Sequence, residues 1–327
     1  MIISRAPVRI SMGGGGTDLP SYYERFGGFL MAASINKYVY VMANKRFYES
    51  IRLSYSKTEI VDRVDDVEHS IFREAMMLAQ VDGGIELVSI ADVPAQCGLG
   101  TSSAFTVALL NALYAYKRSY RSLGEIAEAA CEIEINMRKE PIGKQDQYAA
   151  AYGGFNAYWF EPDGSVNVEP VHIREENLEE LRNNLFLFHM KKEREASSVL
   201  ENQDRKTREG DEAIVEKLHR IKKIGLETKR VFEDGDIDSF GDILHEHWLT
   251  KKGLSDNISD TFIDEAYEHA RQNGAIGGKI VGAGGGGFLL LYCPRERARL
   301  VSAMESLGLS PTWFSFEHEG AKIVYHG

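Results

Sequence analysis

The sequence predicts an α+β protein of two domains. Its 327 residues are 43% hydrophobic, which is enough to bury one large core or two medium ones. Short β-rich runs separated by turns dominate the first third, whereas long helical segments with charged faces occupy much of the second half. We expect a first domain over residues 1–178 and a second over residues 179–327.

The predicted strands follow from runs rich in β-branched and aromatic residues. In the first domain these runs are residues 2–11, 37–44, 50–54, 85–90, 155–160 and 166–173. The last two flank the turn 161–164, whose sequence is Glu-Pro-Asp-Gly, and therefore indicate a hairpin. A further strand at 184–190 opens the second domain, after an acidic stretch at 174–182 that we interpret as the interdomain linker.

The predicted helices follow from apolar residues at helical spacing. One helix is expected over 103–117, with Thr101 or Ser102 as its N-cap. Another is expected over 123–138, where Ser122 and Glu125 have the spacing of a capping box. In the second domain the helical segments are residues 211–233, 237–252 and 259–273, and the chain closes with strand, helix and strands.

Composition excludes several classes of function. Three widely spaced cysteines with no Cys-x-x-Cys pair argue against a disulfide framework and a zinc site. No apolar run is long enough to cross a bilayer and no signal peptide is evident, so we expect a cytoplasmic protein without a membrane partner. A homodimer is a further expectation. A net charge of −11 disfavours nucleic-acid binding, and such a chain can bind an anion only through backbone N–H groups and a few placed cations.

The first of three glycine-rich segments ends the first predicted strand. Four glycines, residues 13–16, are followed at once by Thr17 and Asp18. Glycine permits close approach of the backbone to a ligand, and the hydroxyl and carboxylate can then hydrogen-bond that ligand. The alternative is a flexible turn in which Asp18 caps a helix. A run of four glycines is costly to order, which favours a binding loop.

The second segment runs from Val93 into the helix that follows Ser103. Glycines followed by hydroxyl residues at a helix N-terminus present free N–H groups and oxygen ligands, a combination suited to a triphosphate. The pattern Gly-x-x-x-x-Gly-Lys-[Ser/Thr] is absent, so the segment is not a P-loop. The alternative is an N-capped core helix after an ordinary loop, with Cys97 as a small loop residue.

The third segment, residues 277–288, contains a formal Gly-x-Gly-x-x-Gly at Gly282, Gly284 and Gly287. In a dinucleotide site the last glycine would open a helix, but the residues after Gly287 read as a strand. This disfavours a nucleotide-dependent oxidoreductase. A glycine loop between two strands, late in the second domain, is instead suited to closing over a site built by the first domain.

Two carboxylates lie in suggestive places. Glu134 shares a helix face with Ala130, Cys131 and Met137, so it points toward the apolar side and needs a cation there. Asp146 stands in the segment Gly143-Lys144-Gln145-Asp146-Gln147-Tyr148. From spacing alone, Asp146 is equally well explained as a helix N-cap and as a functional carboxylate.

Taken together, the three glycine-rich segments resemble the motifs of the GHMP kinase superfamily, named for galactokinase, homoserine kinase, mevalonate kinase and phosphomevalonate kinase. The resemblance covers nearly the whole chain, with the motifs in the same order and at similar separations. It implies a two-domain fold, with an N-terminal ATP-binding domain like ribosomal protein S5 and a ferredoxin-like C-terminal domain. It also implies ATP and Mg²⁺ as cofactors and transfer of phosphate to a hydroxyl.

The resemblance also implies roles for individual residues. Asp146 would be the catalytic base, and Arg9 would lie beside it, keep it ionised and stabilise the transferring charge. Ser102 and Glu134 would bind Mg²⁺. The ATP phosphates would bind the residues Gly98, Leu99, Gly100, Thr101, Ser102 and Ser103. The sugar substrate would bind the residues Gly15, Gly16, Thr17, Asp18, Lys144, Arg194, Gly284 and Gly285.

The substrate implied is a sugar or sugar phosphate. The segments Gly-Gly-Gly-Thr-Asp-Leu-Pro and Gly-Lys-Gln-Asp-Gln-Tyr look like the sugar 1-kinase branch, with D-glycero-D-manno-heptose 7-phosphate converted to its 1,7-bisphosphate. Galactokinases carry glutamate and histidine where Gly15 and Gly16 stand, which argues against galactose. A fucokinase-type or other hexose 1-kinase, and a non-catalytic sensor of ATP and sugar, remain as alternatives. The intact catalytic residues argue against the sensor.

Overall fold

A computed structural model describes residues 1–192, 196–255 and 257–327, so Arg194 lies outside the described residues. Its strands are β1 (Ile2–Gly13), β2 (Gly28–Lys45), β3 (Ile51–Ser54), β4 (Thr58–Val61), β5 (Ile85–Ala91), β6 (Phe155–Phe160), β7 (Val166–Pro170), β8 (Leu185–His189), β9 (Gly277–Ile280), β10 (Phe288–Tyr292) and β11 (Lys322–His326). Its helices are α1 (Pro20–Phe26), α2 (Ser70–Leu78), α3 (Thr101–Tyr116), α4 (Leu123–Cys131), α5 (Gln145–Tyr152), α6 (Glu175–Asn184), α7 (Ala196–Arg208), α8 (Glu212–Asp234), α9 (Phe240–Lys252), α10 (Thr261–Gln272) and α11 (Arg297–Ser306). None of the helices in these ranges is long and apolar enough to cross a membrane.

The larger sheet is built around β2, an 18-residue strand that pairs with three others. The strand order along the sheet is β11-β1-β2-β5-β3-β4. Strand β6 pairs with the first half of β2, and β7 pairs with β6. All pairs are antiparallel except β3 with β5. Helix α3 packs on β1 and β2 and is buried along most of its length, which is why its sequence is apolar on every side.

The smaller sheet contains β8, β10 and β9 in that order, all antiparallel. Every residue of the central strand β10, Phe288–Tyr292, is buried, as expected for a continuous apolar run covered on both faces. An isolated bridge from Phe188 to Pro311 extends the free edge at β8. Helix α9 packs on β9, and this contact brings the C-terminal part of α9 to the end of β1.

The last strand, β11, belongs to the larger sheet. β11 pairs with β1 from Ile2↔His326 to Arg5↔Lys322, so residues 322–326 complete the larger sheet. We keep the boundary between the domains near residue 178 as a proposal. Strand β11, although it follows this boundary, pairs with β1 of the first domain.

Several elements differ from the sequence-based expectations. The capping box at Ser122 and Glu125 is confirmed, with hydrogen bonds in both directions. Helix α3, however, is capped by Gly100 in the left-handed conformation rather than by Thr101 or Ser102. The predicted helix 123–138 is α-helical only to residue 131 and continues as a π-helical stretch, Glu132–Met137. Residues 175–182 of the expected linker lie within helix α6, with Arg174 as its N-cap. Helices α1, α2 and α7 are absent from the sequence-based prediction.

Candidate active site

A cleft of about 350 Å³ lies where the two sheets meet. Strand β1, the second glycine segment, the π-helical stretch and the start of α5 form one wall. The ends of α9 and β9 form the opposite wall. The polar and charged side chains that line the cleft are Arg9, Ser11, Gln96, Thr101, Ser102, Ser103, Glu134, Arg138, Glu140, Gln145, Asp146, Gln203, His247, Lys251 and Lys279.

The second and third glycine segments pack against each other backbone to backbone. A Cβ at Gly98 would lie 2.5 Å from the carbonyl oxygen of Val281, and a Cβ at Gly282 would lie 2.6 Å from the carbonyl oxygen of Gly98. Both residues also have positive φ, so glycine is required twice over. This contact explains the glycines of the apparent dinucleotide motif in the third segment. They allow the backbone of the second segment to approach closely.

The N-terminus of helix α3 opens into this cleft. Gly100 has φ +79°, and a Cβ there would lie 3.1 Å from Cγ of Asp146. The first N–H groups of a helix have no intrahelical acceptor, so those of Thr101 to Ser103 are available to an anion. A glycine cap therefore leaves room beside Asp146 that a Thr or Ser cap would fill.

Asp146 and Arg9 form a close ion pair in the cleft. Nε of Arg9 donates to Oδ1 of Asp146 at 2.7 Å, and Nη2 lies 2.5 Å from the same oxygen. Nη1 of Arg9 donates to the carbonyl oxygen of Gly98 at 2.6 Å. Arg9 is 3% exposed and Asp146 remains more accessible, so the carboxylate is the member of the pair that faces a ligand.

Ser102 and Glu134 form a second polar pair. Oγ of Ser102 donates to Oε1 of Glu134 at 2.8 Å, and Nε2 of Gln147 donates to Oε2 at 2.7 Å. Glu134 is 1% exposed, as its helical position predicts, and burial raises its pKa. The π-helical stretch that contains Glu134 widens the helix at this point, a feature often found at functional sites.

This pair fits Mg²⁺ by the chemistry of its donors. A hydroxyl oxygen and a carboxylate oxygen 2.8 Å apart, beside a helix N-terminus, are hard ligands that leave further positions for phosphate oxygens. Within the described ranges no group of three or more His, Cys, Asp or Glu side chains is arranged to hold a metal. Mg²⁺ commonly binds proteins through only one or two carboxylates, so a large acidic cluster is not required.

The first glycine segment contributes backbone to the cleft and structural side chains behind it. Gly15 and Gly16 line the cleft. The Thr17 hydroxyl is buried and bonded to Gly14 and Phe29 backbone atoms. The buried Asp18 carboxylate accepts from the N–H groups of Gly16 and Gln145, and burial, followed by the charge of Asp146, raises its pKa. Asp18 thus ties the first glycine segment to the start of α5.

Three other expected substrate contacts, Lys144, Gly284 and Gly285, do not line the cleft. The Lys144 ammonium donates to the Gly164 carbonyl at 2.7 Å and pairs with Glu128 at 3.1 Å. Gly284 and Gly285 pack on Ile258, while their neighbours Gly282 and Ala283 face the cleft. Arg194 belongs to the part of the chain that the structure does not describe. The described residues therefore place neither of the two expected cations, Lys144 and Arg194, in the cleft.

The residues that sequence reasoning missed lie on the opposite wall. His247 and Lys251 come from α9 and Lys279 from β9, and Gln203 on α7 donates to the Gly16 carbonyl at 3.0 Å. Lys279 stands inside the third glycine segment and could have been singled out there. His247 and Lys251 have only an i, i+4 spacing in common, which is too frequent on helices to indicate a site.

Comparison with known proteins agrees with this geometry. The pattern of the GHMP kinases N terminal domain matches residues 67–154, and that of the GHMP kinases C terminal region matches residues 228–308. The chain is 30% identical over 334 residues to the D-glycero-alpha-D-manno-heptose 7-phosphate kinase of Campylobacter jejuni, covering 98% of both proteins. It is 25% identical to the L-fucokinase/L-fucose-1-P guanylyltransferase of Bacteroides fragilis, over 91% of this chain and 35% of that protein.

A solved structure is similar over the whole length. The crystal structure of a D-glycero-D-manno-heptose 1-phosphate kinase from Bacteroides thetaiotaomicron superposes with a TM-score of 0.84, 26% identity and full coverage of both chains. Sequence identity over the full length, both matched regions and the shared two-domain architecture lead to one conclusion. The chain belongs to the GHMP kinase family and has its two-domain fold.

Proposed function

We propose that this protein is an ATP-dependent sugar kinase that phosphorylates the anomeric hydroxyl of D-glycero-D-manno-heptose 7-phosphate, giving the 1,7-bisphosphate and ADP. The observation that carries the proposal is the Asp146–Arg9 pair facing the N-terminus of α3, with Ser102 and Glu134 alongside. A base, an anion-binding helix end and metal ligands in one cleft are the parts that phosphoryl transfer needs.

The roles proposed for the residues follow from their chemistry. Asp146 accepts the proton of the acceptor hydroxyl as the hydroxyl oxygen attacks the terminal phosphorus of ATP. A bond forms between that oxygen and the phosphorus, the bond to the bridging oxygen breaks, and its electron pair leaves with ADP. Arg9 holds the Asp146 carboxylate in position and stabilises negative charge on the transferring group.

The nucleotide side of the cleft is proposed to be the segment from Gly98 to Ser103. Free N–H groups at the start of α3 would hold the ATP phosphates, and Ser102 with Glu134 would hold Mg²⁺. The metal would neutralise charge on the phosphate oxygens. Gly15 and Gly16 would contact the sugar on the opposite side of Asp146. A cytoplasmic location and a homodimer stay predictions.

The choice of acceptor is supported by the two heptose phosphate kinases named above. Their names differ in the position of the phosphate, 7 in one and 1 in the other. We adopt the 7-phosphate acceptor because the relative with the higher sequence identity carries it in its name. A fucokinase-type hexose 1-kinase is the second candidate, favoured by the more distant match to L-fucokinase.

The test is ATP consumption against a panel of free sugars and sugar phosphates, with ³¹P NMR to locate the new phosphate. We expect turnover with the heptose 7-phosphate and a new signal from an anomeric phosphate. Asp146→Asn serves as the control for contaminating kinases. Preference for free fucose would favour the second candidate, and tight binding of ATP and sugar without turnover would favour a sensor.

A further inference from the structure

Three basic side chains form a buried group on the wall of the cleft opposite Ser102 and Glu134. Lys279 is 1% exposed, His247 is 1% exposed and Lys251 is 9% exposed, yet all three line the cleft. We call them the basic group. Nζ of Lys279 lies 3.3 Å from Nδ1 of His247 and 3.4 Å from Oγ of Ser11. Nζ of Lys251 donates to the carbonyl oxygens of Ile280, at 3.0 Å, and Gly282.

No carboxylate of the described residues pairs with either ammonium of the basic group. The hydrogen-bond partners of Lys251 and Lys279 are neutral: two carbonyls, a hydroxyl and an imidazole. Arg9 lies near enough to repel both lysines, and its own counter-charge, Asp146, is already engaged. Buried cations without a paired anion are unfavourable. Among the described residues these basic side chains lie together without a carboxylate partner, so a bound anion would neutralise them.

The basic group contacts both strand β1 and the third glycine segment. Ser11 stands on β1 two residues before Gly13, and its hydroxyl accepts from Nζ of Lys279. The group is thus attached to the strand that leads into the first glycine segment. The N-terminus of α3 already supplies donors for a nucleotide phosphate, which leaves the basic group for another anion.

We propose that Lys251, Lys279 and His247 form a phosphate subsite that holds the distal phosphate of the acceptor. The inference rests on the proposed function, because it assumes a phosphorylated sugar as the acceptor. Lys251 and Lys279 donate charge-assisted hydrogen bonds to the phosphate oxygens. His247 orients the Lys279 ammonium through Nδ1. A second source of the same chemistry is the terminal phosphate of ATP, and the experiment separates the two.

The experiment compares Lys251→Met and Lys279→Met with wild type in binding and in turnover. Methionine keeps an unbranched side chain and removes the charge. Lys252→Met is the matched control. Lys252 adjoins Lys251, but its Nζ lies 3.1 Å from Oδ1 of Asp264, and Lys252 does not line the cleft. Calorimetry measures binding of D-glycero-D-manno-heptose 7-phosphate, the unphosphorylated heptose and a non-hydrolysable ATP analogue. Methionine cannot replace the hydrogen bonds that Lys251 gives to the Ile280 and Gly282 carbonyls, so the melting temperature without ligand and the affinity for the ATP analogue check that each variant is folded.

Each lysine variant should weaken binding of the heptose 7-phosphate about 10- to 100-fold, the loss expected for one charge-assisted hydrogen bond. Binding of the free heptose and of the ATP analogue should change by less than about threefold, and kcat/KM should follow the same pattern. Weaker binding of the ATP analogue with an unchanged heptose phosphate affinity would assign the basic group to the nucleotide and overturn the proposal. Equal losses for heptose and heptose 7-phosphate would also overturn it.

The outcomes also separate this inference from the proposed function. If wild type binds the heptose 7-phosphate through the lysines but transfers no phosphate, the subsite stands and the kinase proposal fails. If wild type phosphorylates the sugar phosphate and the lysine variants do so equally well, the kinase proposal stands and the subsite fails.

Discussion

The two walls of the cleft carry their charges in different states. On the wall formed by the first sheet and its helices, Asp146 is paired with Arg9, and Glu134 receives hydrogen bonds from Ser102 and Gln147. On the opposite wall, the hydrogen-bond partners of Lys251 and Lys279 among the described residues are all neutral. Among the described residues, the proposed base on the first wall therefore has a paired cation, whereas the two ammonium groups on the second wall have no paired anion.

The difference indicates how each wall takes part in binding. Carboxylates held by donors keep their geometry before the substrate arrives, which is what a base and a metal site require. Unpaired buried cations instead destabilise the ligand-free protein. A bound anion removes this destabilisation, which contributes to the affinity for the anion. Four predictions test this contrast, from the largest expected effect to the smallest.

Replacing the proposed base, Asp146, on the first wall should give the largest loss of activity. Asp146→Asn keeps the shape of the side chain but removes the proton acceptor, so kcat should fall by about 100-fold or more. Binding of a non-hydrolysable ATP analogue should change less than about twofold. Steady-state kinetics and calorimetry measure the two effects. Asp163→Asn, in an exposed turn, is the control, and a kcat above a tenth of the wild-type value for Asp146→Asn would refute the role of the base.

The metal pair can be tested with two glutamates of the same region. Glu134→Ala removes a buried carboxylate bonded to Ser102, so the Mg²⁺ concentration for half-maximal rate should rise about tenfold or more. Glu128→Ala removes an exposed carboxylate that pairs with Lys144 and should leave the Mg²⁺ dependence unchanged. Titration of the rate with Mg²⁺ decides the matter, and identical curves for both variants would remove the case for Glu134.

The buried lysines of the second wall lead us to expect that phosphate binding is linked to proton uptake. Burial, together with the charge of Arg9, lowers the pKa of Lys251 to about 7. A bound phosphate favours the charged ammonium and raises this pKa, so binding between about pH 7 and 9 should take up protons, at most about one from this group. Calorimetry in buffers of different ionisation enthalpy measures the uptake. Burial also lowers the pKa of Lys279, so Lys251→Met should reduce the uptake rather than abolish it, and Lys252→Met should leave it unchanged. Proton release by the wild type would contradict the linkage.

The smallest effect is expected for Lys144. Its ammonium pairs with Glu128 and bonds the Gly164 carbonyl outside the cleft, so Lys144→Ala should cost about 0–1 kcal/mol of unfolding free energy. The ratio of kcat/KM for heptose 7-phosphate to that for free heptose should change less than about twofold. Denaturant unfolding and paired kinetics measure both quantities. A large loss confined to the sugar phosphate would return Lys144 to the substrate site.

Several features of the site were already determined by the sequence. The three glycine segments, the inward position of Glu134 and the capping box at Ser122 rest on local order: residue type, helical period and fixed spacing. These are set by a few neighbours along the chain. For the same reason the β-rich run after Gly287 is by itself enough to reject a dinucleotide site, which needs a helix at that point.

Only the tertiary structure decided how these segments meet. Gly100 is the cap of α3 because a side chain there would press on Asp146, a residue 46 positions later. Lys144 turns away from the cleft because Glu128 offers it a partner on the outer surface. Lys251 and Lys279 come together because α9 packs on β9, and β11 returns to β1 from the far end of the chain. Such contacts depend on which faces pack across long separations, and periodicity along a single sequence carries no record of that choice.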